Sequence, residues 1–320
     1  MAKKLNRRDF VKSSILASAA VPAALQAQPA APGAPAPVLP REPLLPTGKI
    51  GNLEVTRLIL GGNLISGYAH ARELSYVSML MRRYNTPAKI RETLELAESQ
   101  GINTMNSWVV DDNSQLFDHW KNGGKLQWIA QTRLDSAGEF SQVQRAIDEG
   151  AAAVHLTGDT CEGLLRQGKF DTVIRSLEFI RARKKPAGIA GHDLGVIKES
   201  ERLKLAPDFY LKTFHSHDYF TAPREGETDA LGKSDNSWCS NPAEVVEVMA
   251  KVTRPWIAFK VLAAGAIPPR AAFPYAFNSG ADFILVGMFD WQVVDNAKFA
   301  RRVVAITAGT DSKRTRPWIG

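Results

Sequence analysis

Short apolar runs alternate with longer amphipathic stretches along the chain after residue 50. The apolar runs have the length of strands, which we expect at residues 57–61, 104–106, 127–132, 153–156, 187–190, 209–213, 256–260 and 283–286. In the stretches between them, apolar residues recur at the spacing of one helix face. We expect helices at residues 87–100, 114–122, 141–149, 170–183, 194–204, 242–252, 270–279 and 292–308.

The strand candidates are continuously apolar, as is typical of parallel strands that are buried on both faces. Eight strand–helix units of this length match a closed (β/α)₈ barrel. A doubly wound open sheet is the alternative, but that fold usually has a glycine-rich phosphate turn after its first strand. The segment Leu60-Gly-Gly-Asn63 lacks the spacing of such a turn. We therefore predict an α/β protein with one TIM barrel at residues 47–320.

The first 27 residues have the composition of a signal peptide. A basic segment, Asn6-Arg-Arg-Asp-Phe-Val-Lys12, precedes an apolar stretch and small residues near Ala27. The paired arginines, the phenylalanine and the lysine resemble the twin-arginine motif R-R-x-F-x-K. We expect export by the twin-arginine translocase and a periplasmic or extracellular location. An uncleaved amphipathic anchor is the alternative, and the apolar stretch is too short to span a bilayer stably.

Residues 28–46 contain seven prolines and many alanines. Such a segment stays extended and solvated, so we expect a linker between the signal peptide and the barrel.

The formal net charge is +7, of which residues 1–27 contribute +4. A nucleic-acid-binding protein carries a basic patch on its folded domain. The clearest basic run, at residues 181–185, is expected at the end of a helix, where cations complement the helix dipole. We therefore expect no nucleic-acid partner. The two cysteines, Cys161 and Cys239, leave a disulfide and two free thiols both open.

Several segments resemble the aldo/keto reductase superfamily. Residues 47–62 resemble its opening hairpin and first strand, and further strands of the family are matched by residues 96–106, 128–132, 153–155, 188–193, 257–265 and 286–296. The resemblance covers most of residues 47–300 and is carried by the order and spacing of the segments. It implies a TIM barrel that acts on a small carbonyl substrate with NADP(H) as its cofactor.

The reductase chemistry of that family uses an aspartate, a tyrosine, a lysine and a histidine. The resemblance places Asn106 at the aspartate position, Thr132 near the lysine position and His155 at the histidine position. Residues 107–112 contain no tyrosine. Without a cationic lysine partner, the pKa of a tyrosine would not be lowered by that route. These departures argue against the family's usual hydride transfer.

Four of the six histidines fall at or just after predicted strand ends, where barrel active sites collect. A neutral imidazole is both a metal ligand and a general base. One hypothesis is therefore a divalent metal ion bound by His192, His215, His217 and Asp218. The alternative is that each histidine is a hydrogen-bonded packing residue.

Two lysines, Lys212 and Lys260, end predicted strands. A partly desolvated lysine can act as a base, form a Schiff base or stabilise an oxyanion. An ion pair with a nearby aspartate is the alternative. Together with His155 and His215, these lysines are our candidate catalytic residues.

Two long segments, residues 64–85 and 214–241, are expected to form walls of the barrel mouth. Their aromatic and polar residues could contact a sugar ring and its hydroxyl groups. Candidate substrate-binding residues are Asn63, Asn106, Trp108, His192, Asn236 and Trp238.

The leading hypothesis is an exported enzyme that acts on a small carbonyl, polyol or sugar-type substrate by acid–base chemistry. Reduction with a nicotinamide is the version that the family resemblance implies. The alternatives are a metal-dependent isomerase or lyase, and a binding protein that retains the barrel without catalysis.

Overall fold

The computed structural model describes residues 44–70, 74–134, 138–222, 238–307, 314 and 316–319. The strands in this part of the chain are β1 (Thr47–Ile50), β2 (Leu53–Thr56), β3 (Leu58–Gly61), β4 (Thr104–Trp108), β5 (Gln127–Thr132), β6 (Ala153–Leu156), β7 (Ala187–Gly191), β8 (Phe209–Thr213), β9 (Trp256–Phe259) and β10 (Phe283–Gly287). The helices are α1 (Val77–Tyr84), α2 (Pro87–Ser99), α3 (Ser114–Lys121), α4 (Ser141–Asp148), α5 (Gly158–Arg166), α6 (Asp171–Ala182), α7 (Leu194–Arg202), α8 (Pro242–Met249), α9 (Pro269–Asn278) and α10 (Asp290–Thr307).

Strands β3 to β10 form a closed parallel barrel, in which β10 pairs with β3 and places Ile284 opposite Leu58. The predicted (β/α)₈ fold is therefore confirmed, and each of the eight expected strands coincides with a barrel strand. Helices α1 and α5 were not expected from the periodicity. Both lie in connections at the C-terminal ends of strands, and α5 follows β6 almost directly.

Side chains alternate along each strand between the barrel interior and the surrounding helices. Ile129, Leu211 and Phe283 belong to the interior cluster, whereas Trp128 and Tyr210 pack in the layer beneath the helices. This alternation decides which residues at the strand ends can face a ligand, because only the inward set reaches the barrel mouth.

The antiparallel hairpin β1–β2 precedes the barrel and contributes Ile50 and Val55 to the interior cluster. Leu45 packs into the outer core, so the packed part of the chain includes the last residues of the predicted linker. The predicted signal peptide and the rest of that linker lie outside the described residues.

Helix ends follow the expected capping chemistry. The side chain of Asn241 accepts a hydrogen bond from the backbone N–H of Glu244, and Pro242 takes the first position of α8. Gly101 and Gly280 adopt the left-handed backbone that helix ends favour. Among the described residues, no helix is both long and apolar enough to cross a membrane.

Cys161 and Cys239 are free thiols, and both are buried. Burial raises the pKa of Cys161 to about 12, so this side chain is an uncharged packing group.

Candidate active site

A cavity of about 840 Å³ lies at the C-terminal ends of the barrel strands. It is bounded by the ends of the strands, by the segment after β3 and by the segment after β9. The predicted site residues that line it are Asn63, Asn106, Trp108, His155, His192, Trp238 and Lys260. The barrel thus brings these seven residues to one mouth. Asn236 lies outside the described residues.

An amide–imidazole group forms the floor of the cavity. Nδ2 of Asn106 donates to the carbonyl oxygen of Ile129 at 3.0 Å and to Nε2 of His155 at 3.1 Å. Nδ1 of His155 therefore carries the ring proton and donates to the carbonyl oxygen of Leu156 at 2.9 Å. Burial lowers the pKa of His155 to about 4, so its imidazole is neutral at physiological pH. Nε2 of Gln131 completes the group by donating to Oδ1 of Asn106 at 2.7 Å.

The resemblance places the family's lysine position near Thr132, and the residue that meets Asn106 on the floor is its neighbour Gln131. Thr132 points outward from β5, is fully buried, and donates through Oγ1 to the carbonyl oxygen of His155. Gln131 shares the inward face with Ile129 and lines the cavity. Where the family resemblance implies an aspartate–lysine pair, the chain has a neutral amide pair.

His192 follows β7 and is oriented by a buried carboxylate. Oε1 of Glu162, a residue only 2% exposed, accepts from the backbone N–H groups of His192 and Asp193 and from Nδ1 of His192 at 3.2 Å. This contact leaves Nε2 as the basic atom of the ring. Burial lowers the pKa of His192, while Glu162 acts in the opposite direction. Gly158 permits this packing, because a Cβ atom there would lie 2.9 Å from Nδ1 of His192.

Lys260 extends into the cavity from the end of β9. Its Nζ lies 2.7 Å from Nε2 of His70 and 3.8 Å from the centroid of the Trp238 ring. The Trp238 ring also contacts His70 and His192, at centroid distances of 5.0 and 5.1 Å. Because an ammonium can only donate, Nε2 of His70 accepts from Lys260, and Nδ2 of Asn63 approaches the same atom at 3.2 Å.

The backbone is left-handed at both Lys260 (φ 57°) and His70 (φ 52°). Strand alternation would point Lys260 away from the cavity, since Ile257 and Phe259 are the inward residues of β9. The left-handed turn at Lys260 reverses this direction and brings the amine to the mouth. Such backbone costs of order 1 kcal/mol for a residue with a Cβ atom.

Lys212 does not line the cavity, contrary to the sequence-based expectation. It points outward from β8 and is 1% exposed. Nζ donates to the carbonyl oxygens of His192 and Thr213 at 2.6 and 2.9 Å and to Oγ1 of Thr213 at 2.8 Å. These acceptors use the three N–H bonds of an ammonium, so Lys212 supports the backbone beneath His192 and does not face a ligand.

His215 and His217 also lie outside the cavity lining, contrary to expectation. Nε2 of His215 accepts from the backbone N–H of Trp238 at 3.1 Å, and Nε2 of His217 donates to the carbonyl oxygen of Cys239 at 2.6 Å. The two imidazoles therefore hold the backbone that carries the Trp238 ring. Asp218 is exposed.

The proposed metal set is not assembled. A ring nitrogen of each histidine is hydrogen-bonded to a different group. The partner of His192 is Glu162, and those of His215 and His217 are the backbone of residues 238 and 239, respectively. No group of three histidine, cysteine or acidic side chains within the described ranges is placed to bind a metal ion.

The opposite rim carries an aromatic and charged group. The Arg133 guanidinium lies 4.4 Å from the centroid of the Trp108 ring and pairs with Asp159. Tyr68 packs against Trp108 and donates to Asp111 at 2.9 Å, and burial together with this bond raises the pKa of Tyr68 to about 12. The sequence had indicated the segment of Tyr68 and His70 as a wall, but not the contributions of Gln131, Arg133 and Glu162.

Among the described cavity-lining residues of β10 and the segment after it, none is a lysine or arginine that could pair with the phosphate groups of NADP(H). The lining there is largely apolar and includes Leu285 and Phe289. The N-terminus of α10 is occupied by the chain's own Asp290, whose carboxylate accepts from Tyr84 and pairs with Lys89 at 2.7 Å. Asp290 does not line the cavity, and its carboxylate complements the positive end of α10.

The fold is similar to those of two solved structures. One is described as an aldo-keto reductase from Pseudomonas aeruginosa; it matches with a TM-score of 0.56 and 17% sequence identity, covering 82% of this chain and 98% of its own. The other is the aldo-keto reductase AKR11C1 from Bacillus halodurans in its holo form, with a TM-score of 0.53 and 11% identity, covering 86% of this chain and 100% of its own. No protein-family model and no curated protein matches the sequence. The resemblance found in the sequence is thus confirmed at the level of the fold: this chain has an aldo-keto reductase-like (β/α)₈ barrel.

Proposed function

We propose that the chain is an enzyme that transfers protons on a small carbonyl or sugar-type substrate at the C-terminal mouth of its barrel. One observation carries this proposal: the carboxylate-oriented imidazole of His192 and the ammonium of Lys260 pack against the same Trp238 ring in the cavity. A base and a cation so placed suit the removal of a proton next to a carbonyl group.

In this reaction Nε2 of His192 takes the proton from the carbon next to the carbonyl. The electron pair of the broken C–H bond forms the enolate, and the ammonium of Lys260 stabilises its oxygen. With a hydroxy-carbonyl compound, the imidazolium returns this proton to the former carbonyl carbon while the proton of the substrate hydroxyl group passes to the enolate oxygen, which gives an isomer. In an elimination, the hydroxyl group on the next carbon leaves with the electrons of its C–O bond, takes the proton from the imidazolium and departs as water. Glu162 stabilises the imidazolium that forms, as an orienting carboxylate does in other acid–base sites.

The floor group is suited to binding rather than to proton transfer. His155 is neutral with a pKa of about 4, and Asn106 and Gln131 are uncharged. The polar atoms of Asn106 and His155 are bonded within the protein, which leaves the side-chain oxygen and the second N–H of Gln131 to hydrogen-bond a hydroxyl or carbonyl group without a change of charge. The Trp108 and Trp238 rings offer apolar faces on which a sugar ring could stack.

Solvent exchange tests the proposal across a panel of compounds, because it detects proton transfer whichever of them is the substrate. The protein is incubated in D₂O with aldoses, ketoses and hydroxy-keto acids, and deuterium at carbon is followed by proton NMR. We expect exchange next to the carbonyl of at least one compound. For that compound, His192→Gln should slow the exchange by about 10²- to 10⁴-fold and Lys260→Met by about 10²- to 10³-fold.

Lys121→Met is the matched control, because Lys121 is 75% exposed on α3. It should exchange at the wild-type rate. Absence of exchange with the whole panel, or full exchange by His192→Gln, would refute the proposal.

The reductase alternative is favoured by the fold likeness and disfavoured by the neutral Asn106–Gln131 pair, where the resemblance implies an aspartate and a lysine. It predicts quenching of tryptophan fluorescence on NADPH addition and oxidation of NADPH with a carbonyl compound. Such turnover, retained in His192→Gln, would replace our proposal. A binding protein would instead bind a compound of the panel without exchange.

We also propose that the twin-arginine segment directs export of the barrel. In a bacterial host with the translocase, Arg7→Lys combined with Arg8→Lys should retain the protein in the cytoplasm as its longer precursor. Fractionation followed by immunoblotting measures this, and unchanged export of the double variant would contradict it.

A further inference from the structure

A second cavity, of about 300 Å³, lies at the opposite, N-terminal end of the barrel. Its lining comprises Pro46, Thr47, Arg57, Val304, Ala305, Arg316 and Ile319. Arg57 immediately precedes β3 and Asp282 immediately precedes β10, so the cavity lies at the seam where the first barrel strand pairs with the last.

Three guanidinium groups surround one carboxylate beside this cavity. Arg314 donates to Oδ2 of Asp282 at 3.0 Å, and both side chains are almost fully buried. Arg57 is 3% exposed and donates only to backbone carbonyls, through Nε to Asp282 at 2.7 Å and through Nη2 to Ala281 at 3.4 Å. Arg316 reaches Oδ1 of Asp282 only at 3.6 Å. Within the described part of the chain, one carboxylate thus faces three buried or half-buried cations.

The described residues do not fully compensate the two arginines that line the cavity. Nη1 of Arg316 is buried and makes no hydrogen bond. Burial lowers the pKa of Arg57 to about 10; the charge of Asp282 opposes this shift, and the nearby charge of Arg316 adds to it. Burying a cation is costly unless it is paired and hydrogen-bonded. An anion placed between the two side chains would accept from both and relieve their repulsion.

We propose that this cavity binds a small oxyanion of the phosphate class between Arg57 and Arg316. Guanidinium groups are suited to phosphate oxygens because their N–H bonds match them in pairs. The volume accommodates a phosphate with a small substituent. Since active sites of TIM barrels lie at the other end, the bound anion would act on the stability of the seam and not on the reaction.

Thermal unfolding of the full chain tests this site. Inorganic phosphate is titrated at constant pH against sodium chloride of equal ionic strength. We expect phosphate, and not chloride, to raise the Tm by about 5 °C near saturation, given the linkage between binding and stability. Arg316→Gln should remove the phosphate-dependent rise, whereas Arg302→Gln, on the exposed side of α10, should keep it.

Arg316→Gln suits this purpose better than Arg57→Gln, because Arg57 also bonds the backbone of the seam. An equal rise with chloride, no rise with phosphate, or a full rise in Arg316→Gln overturns the proposal. Glu42→Gln and Asp311→Asn form a further arm. If phosphate raised the Tm only in one of these variants, the carboxylate removed by that substitution would be the group that pairs with the arginines in the wild type. This result would also overturn the proposal.

Discussion

The side-chain amide of Gln131 donates to Oδ1 of Asn106 across neighbouring strands, at a distance of 2.7 Å. Asn106 is only 2% exposed, and its own amide donates to Ile129 and His155. The floor of the cavity is therefore an uncharged network in which each amide has a defined orientation.

We expect Asn106→Asp to destabilise the protein, because a buried carboxylate would face the carbonyl oxygen of Ile129 without a cation. The free energy of unfolding should fall by about 3–5 kcal/mol. Adding Gln131→Lys should restore a substantial part of the loss by pairing the two charges. Urea denaturation of the wild type, both single variants and the double variant measures the coupling; purely additive effects would contradict the pairing.

The protein should lose stability as the pH falls from about 6.5 to about 4. Burial lowers the pKa of both His155 and His215 to about 4 from the ordinary 6.5. In this range the unfolded chain binds a proton at each site and the folded chain does not, so the free energy of unfolding decreases on acidification. Each site contributes up to about 1.4 kcal/mol per pH unit.

Urea denaturation at several pH values between 4 and 7 measures this dependence. His155→Gln and His215→Gln should each lower the slope of the free energy of unfolding against pH. The decrease should be up to about 1.4 kcal/mol per pH unit, which corresponds to one proton. A slope unchanged in both variants would show that other groups cause the acid sensitivity.

His215→Phe should loosen the Trp238 ring. The substitution removes the acceptor of the Trp238 backbone N–H and leaves this donor buried without a partner, which costs about 1–3 kcal/mol. Tryptophan emission should shift to longer wavelength as Trp238 gains exposure from 6%. The shift should vanish when the same change is made in a Trp238→Phe background, and its persistence there would assign it to another tryptophan.

The amines of Lys212 and Lys260 should differ in reactivity. Lys212 is bonded on three sides beneath His192, whereas Lys260 lies in the cavity wall. Reductive methylation of the folded protein, followed by peptide mass spectrometry, should modify Lys260 and leave Lys212 unmodified until the protein is unfolded. Equal labelling of both under native conditions would contradict the burial of Lys212.

The positions of strands and helices could be predicted because parallel barrel strands are buried on both faces and are therefore continuously apolar. A continuously apolar strand shows no alternation of polar and apolar residues. The sequence therefore did not indicate whether the last side chains of each strand point into the barrel or away from it. Leu211 points into the barrel, so the next residue, Lys212, points outward. Ile129 also points into the barrel, so Gln131, two residues later, points inward as well. Strand alternation alone therefore accounts for both corrections.

Other parts of the site have no signal in the sequence pattern. Alternation directs Lys260 outward, and only its left-handed backbone brings it inward. Glu162 lies on α5, a helix that the periodicity did not predict. It contacts His192, although the two residues are 30 positions apart in the sequence. Contacts of this kind depend on the closure of the barrel and not on local spacing.

The backbone of Lys260 and His70 has a consequence for how the barrel would respond to selection for heat resistance alone. Both residues occupy conformations that glycine adopts without a steric penalty, so Lys260→Gly would relieve strain while deleting the amine. Random mutagenesis screened only for thermal tolerance should therefore drift toward glycine at these two places, whereas a screen that also demands turnover should retain the lysine. Comparison of the two screens would show, at each of these positions, which residue gives the more stable fold and which residue catalysis requires.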